Sequence, residues 1–181
     1  MAALDRRTFL LASGLGAAGL LTPARFAFAQ VPSNTRLHGI SAFGELKYPA
    51  EFTHFDYVDP QAPKGGLFNF QPPNWQYNQN VQTFNTLNSF ILRGDAPPRM
   101  ELCFDSLMVR AFDEPDAQYC HLAEWVEVSE DRNIWRFGLR PEARFHDGST
   151  VTAADAAFSY NLLKEEGHPN IVITLREMTE A

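Results

Sequence analysis

The stretch from Trp125 to Gly167 constrains this chain most, because it writes a strand hairpin and then a capped helix with little room for another reading. Trp125, Val126 and Val128 precede the polar turn Ser129-Glu130-Asp131-Arg132-Asn133, and beyond it Trp135, Phe137 and Leu139 alternate with Arg136, Gly138 and Arg140. Side chains alternate across a strand, so the aromatics are expected on one buried face and the arginines on the other. Pro141 then breaks the strand and Asp147-Gly148 turns the chain. A helix is expected from about Ala153 to Glu166. Thr152 and Asp155 form its capping box and Gly167 its stop, with Ala156, Ala157, Phe158, Tyr160 and Leu163 as the apolar face.

Upstream the signals are weaker. Leu37–Phe43 reads as a short strand, and the run Asp59-Pro60-Gln61-Ala62-Pro63-Lys64-Gly65-Gly66 as a turn feeding a second strand at Leu67–Phe70. Residues 71–98 mix Asn, Gln and Pro with Phe84, Leu87, Phe90, Ile91 and Leu92, too apolar for a disordered linker, and read as an ordered irregular segment. From Arg99 to Val109, Met100, Leu102, Cys103, Phe104, Leu107 and Met108 recur near helical spacing and predict a short helix with its apolar side inward. Asp113-Glu114-Pro115-Asp116 then turns the chain.

The N-terminus reads as an export leader over residues 1–29. Arg6-Arg7 precede an apolar stretch from Phe9 to Leu21, and Ala27-Phe28-Ala29 supplies a small-residue cleavage site. The 13 apolar residues would rise only about 20 Å as a helix, short of a roughly 30 Å hydrocarbon core. The signal residues are therefore Arg6, Arg7, Ala27 and Ala29, with cleavage after Ala29. Asp5-Arg6-Arg7-Thr8-Phe9-Leu10 resembles a twin-arginine motif, while an ordinary secretory leader is the alternative. Removing residues 1–29 leaves 12 basic and 21 acidic residues, a net charge of −9, which disfavours a nucleic-acid partner. No cysteine precedes Cys103 to accept a lipid, and an oxidising compartment would permit a disulfide between Cys103 and Cys120.

His146-Asp147 could form an imidazole–carboxylate pair, but Phe145 before it and Gly148 after it favour a tight turn. His121 with Glu124, and His54 with Asp56, lack the partner spacing of a zinc motif. Asp113, Glu114 and Asp116 lack the glycine and later glutamate of a calcium loop and read as solvated turn carboxylates. Lys64-Gly65-Gly66 lacks the rest of a phosphate loop, and Ser106 stands in no nucleophile motif. No catalytic residue, metal or cofactor is expected. Trp75, Tyr77, Phe84 and Phe90, aromatics in irregular segments, are the candidate ligand-binding residues.

The run HLAEWVEVSEDRNIWRFGLRPEARFHDGSTVTAADAAFSYNLL, from His121 to Leu163, resembles the peptide- and dipeptide-binding solute receptors of bacterial ABC importers. His38–Gly66, Phe84–Pro98 and Phe112–Glu124 resemble the YejA-type branch more narrowly, so the likeness covers nearly the whole segment after the leader. It implies an α/β periplasmic-binding-protein fold of two lobes closing on a ligand. It also implies a periplasmic, non-catalytic receptor that passes an oligopeptide or peptide-like solute to an inner-membrane ABC permease. Receptors of this family are much longer, so residues 30–181 are expected to be the N-terminal part of the binding domain. Two alternatives are a secreted hydrolase using His146 and Asp147, and a truncated product without function.

Overall fold

The computed structural model describes residues 31–67, 69 and 77–181. Arg6, Arg7, Ala27 and Ala29, the residues expected to belong to a leader, and the aromatic Trp75 lie outside them. Strands β1 (Gly39–Ser41), β2 (Met108–Arg110) and β3 (Ala117–Cys120) form an antiparallel sheet in the order β1-β3-β2. Strands β4 (Ala123–Val128) and β5 (Trp135–Leu139) form an antiparallel pair, and helices α1 (Ala153–Glu166) and α2 (Pro169–Leu175) follow. Leu37 and Val126 exchange both backbone hydrogen bonds at 2.9 Å, tying the first sheet to the hairpin. Mixed strands and helices are as expected.

The core lies on the three-stranded sheet. Tyr119, fully buried on β3, is ringed by Tyr48, Ala111 and Ala117, with Leu46, Phe52 and Phe55 packed around them. A second cluster of Cys120, Ala123 and Val126 holds Leu37, Ile40, Leu107, Met108 and Phe137 against it. Gly39 is required here, because a Cβ at that position would meet the Gln118 carbonyl oxygen at 2.8 Å.

The acidic turn expected to be solvated is instead a clasp. Tyr119 donates its hydroxyl to Glu114 Oε2 at 2.6 Å and accepts the Tyr48 N–H at 3.1 Å, while Glu114 Oε1 accepts the Lys47 N–H at 3.0 Å. Asp113 Oδ2 receives both the Tyr48 hydroxyl and Lys47 Nζ at 2.5 Å, and Lys47 also pairs with Asp56 at 2.7 Å. These bonds to Lys47 and Tyr48 hold the Asp113 carboxyl below its usual range, and the same carboxylates raise the Lys47 ammonium. Burial first, and Glu114 second, push the Tyr119 phenol up to about 12. The clasp fastens the loop carrying Tyr48, Phe52 and Phe55 onto β3.

Between Arg99 and Val109 the structure departs from the expected helix. Only a 3-10 turn forms at Met100–Cys103, Phe104 is extended, and the chain leaves as β2. Leu102 and Phe104 face solvent rather than the core. Pairing of β2 with β3, Val109 opposite Tyr119, outweighs a local helical period too short to sustain itself. Leu67 and Asn69 lie in no strand, and Phe68 and Phe70 fall outside the described residues.

The hairpin forms as expected, with Val126 opposite Phe137 and Val128 opposite Trp135. Its turn is closed by the Ser129 N–H to the Ile134 carbonyl at 2.9 Å, and Asp131 accepts from Ser129 and Asn133. Trp125 lies between the Arg36 guanidinium, 4.1 Å from its ring centroid, and Gly138, where a Cβ would stand 2.2 Å from the indole. The buried-face expectation holds for Phe137 but not for Trp135, which is exposed and donates its indole N–H to the Arg132 carbonyl at 3.3 Å.

Helix α1 has the expected bounds and the full Thr152/Asp155 capping box, and Gly167 caps its end with its N–H on the Leu163 carbonyl. Its apolar residues do not form a buried face: α1 buries no residue, and Phe158 and Leu162 are exposed. It packs against α2, an element the sequence reading did not find. Pro169 sits in the first turn of α2, and His168 Nδ1 accepts the Asn170 N–H at 3.2 Å. A proline at the first helical position was the available signal.

Candidate functional site

Residues 77–98 of the irregular segment are held by their own polar side chains, while residues 71–76 lie outside the described residues. Buried Asn78 donates to the carbonyls of Asn88 at 3.0 Å and Arg93 at 2.9 Å, and Asn78 and Asn80 bond the Ala96 backbone. Asp95 accepts from Thr83 and Asn80. These bonds fix Tyr77 and Phe90 on neighbouring turns. The His168 N–H then donates to the Phe90 carbonyl at 2.6 Å, fastening the α1–α2 pair to the loop.

Between loop and helices lies a cavity of about 200 Å³, lined by Tyr77, Phe90, Tyr160, Leu163, Ile171, Thr174 and Leu175. The Tyr77 ring stands 5.3 Å from His168 and 6.3 Å from Phe90, and Phe90 meets Phe104 edge-on at 4.8 Å. Burial pushes the Tyr160 phenol above its usual range. Two of the four aromatics singled out in the sequence, Tyr77 and Phe90, thus share one concave site. Phe84 does not line it and is 62% exposed. Trp75 is outside the described residues. The helical contributors were missed, although Tyr160 and Leu163 stand three apart on one side of α1.

Several of the residues considered for catalysis or metal binding make local structural bonds. Asp147 accepts the Ser149 N–H at 2.9 Å and its hydroxyl at 2.7 Å, which holds its carboxyl below the usual range, and Gly148 takes φ +89° to complete the turn. Ser106 donates its hydroxyl to the Met108 carbonyl at 2.7 Å. His121 Nε2 faces Asp105 at 3.3 Å and His54 Nδ1 bonds the Phe55 carbonyl at 3.1 Å. Among the described residues no three His, Cys, Asp or Glu side chains gather as a metal site. Gly65 and Gly66 take φ +108° and +96° in an open turn. Both cysteines are free: Cys103 is exposed, while Cys120 is buried and burial pushes its thiol up to about 11. No helix among the described residues is long and apolar enough to cross a membrane.

Residues 118–174, from β3 into α2, match the family described as bacterial extracellular solute-binding proteins, family 5 Middle. Over 93% of its length the chain is 39% identical to the peptidoglycan-binding protein YepA of Agrobacterium fabrum, covering 26% of that protein. It is 39% identical over 83% of its length to the probable peptide-binding protein YejA of the same organism, covering 23% of it. It is 34% identical over 88% of its length to the uncharacterized protein YejA of Escherichia coli, covering 25% of it. The chain therefore spans about a quarter of the length of these relatives. On these matches residues 118–174 carry the family 5 solute-binding pattern, and the chain as a whole is similar to part of YejA-type solute-binding proteins.

Proposed function

We propose that this protein belongs to the substrate-binding component of an ABC importer, capturing oligopeptides or peptide-like solutes outside the inner membrane without covalent chemistry. The observation that carries the reading is the likeness, sustained over 83–93% of the chain, to proteins named as peptide-binding and peptidoglycan-binding. Residues 1–29 act as the export leader, with Arg6 and Arg7 as its twin arginines and cleavage after Ala29. Residues 30–181 contribute part of a two-lobed α/β receptor that docks, ligand-loaded, on an inner-membrane permease. Tyr77 and Phe90 meet the solute at the cavity they share with the helices, and Trp75 and Phe84 are proposed as further contacts to the same solute. Peptides suit such a site because backbone hydrogen bonds give affinity independent of sequence.

Calorimetric titration with short oligopeptides, peptidoglycan-derived peptides, free amino acids and sugars tests this reading. Saturable heat is expected with the two peptide classes alone. Saturation by sugars or free amino acids, with none by peptides, would contradict it.

A further inference from the structure

We infer that the cavity between the Tyr77–Phe90 loop and the α1–α2 pair is a side-chain pocket that selects peptides carrying an aromatic or branched aliphatic residue. The inference rests on the peptide-binding reading above and adds a preference to it. Size is the first argument. At about 200 Å³ the cavity is smaller than the roughly 300–1,000 Å³ typical of sites that enclose a whole small molecule. It has room for one large side chain while the rest of a peptide stays outside.

Chemistry of the walls is the second argument. None of the seven lining residues is charged, and six of them are aromatic or aliphatic. Thr174, the seventh, already donates its hydroxyl to the Asn170 carbonyl at 2.8 Å. The nearby cation Lys164 is turned onto the carbonyls of Met178 and Thr179, and His168 Nδ1 is engaged by the Asn170 N–H. A charged ligand side chain would therefore give up its hydration with no oppositely charged partner among the lining residues in return. The Tyr160 hydroxyl has no hydrogen-bond partner among the described residues, so a polar tip on an otherwise apolar ligand group can be met there.

The walls are held before any ligand arrives. Asn78 fixes the loop, the His168–Phe90 bond joins loop to helices, and the capping box fixes the start of α1. A pocket formed in advance spends little of its selectivity on ordering.

The test is calorimetric titration of the full chain with Ala-Phe-Ala, Ala-Ala-Ala and Ala-Asp-Ala, repeated on Tyr77→Ala and Leu175→Ala. Circular dichroism checks that both variants keep the parent fold. Burying the phenyl group predicts that Ala-Phe-Ala binds about ten- to hundredfold tighter than Ala-Asp-Ala. The gap between the Phe and Ala peptides should shrink in both variants, which alter opposite walls. Equal affinity for all three peptides would overturn the pocket and leave the receptor reading standing. Failure of every peptide to bind would overturn both. A concentration-dependent dimer abolished by Leu175→Ala, with peptide preference unchanged, would assign the cavity to a second copy and overturn the inference.

Discussion

Asp113 carries more of this fold than its place in an acidic turn suggests. It meets Lys47 and Tyr48, 66 and 65 positions away in the chain, while Glu114 beside it meets Tyr119. Because the folded-state carboxyl of Asp113 lies below its ordinary value, its stabilising contribution is fully present above the ordinary carboxylate range. It is lost as pH falls through the lowered value. Asp113→Asn should therefore lower stability at neutral pH and flatten the fall in stability below about pH 4, read from denaturant midpoints across an acid series. An unchanged pH profile would mean that the clasp does not hold the loop. None of this was legible in the sequence, where the acids stood beside a proline in a turn and their partners lay far upstream. The turn at His146–Asp147 was legible from the flanking Phe145 and Gly148, and the structure adds Ser149 as the partner of Asp147.

At the scale of elements, local signals were readable and long-range ones were not. The hairpin and α1 were found with their turn and caps, since each is closed by residues within a few positions. Thr152→Ala removes the capping acceptor and leaves the Asp155 N–H without its partner, so it should cost about 1 kcal/mol. A chemical-denaturation midpoint checks this, and Thr152→Ser should keep most of the stability. The predicted helix at Arg99–Val109 failed for the opposite reason: β2 owes its strand form to β3, a partner the local period cannot reveal. The apolar residues of α1 likewise suggested a buried face, yet its packing partner is the short helix α2 and Phe158 remains open to solvent.

Over the whole molecule, the buried core sits on the strands and the candidate site sits where an irregular loop meets the helix pair. Half of that site was legible: Tyr77 and Phe90 stood out as aromatics in irregular chain, and the structure brings them together. The other half needed the fold, because the packed pair α1–α2 is brought against the loop where the His168 N–H meets the Phe90 carbonyl. Likeness to YejA-type solute-binding proteins runs along nearly all of the chain, and peptide capture is the proposal that this geometry and those relatives support. The most direct test of that claim is a thermal melt of residues 30–181 with and without a mixed peptide library. A single cooperative transition that moves upward with peptide concentration is predicted, because a ligand preferring the native state stabilises it by mass action. A cooperative transition that stays in place at saturating peptide would contradict it.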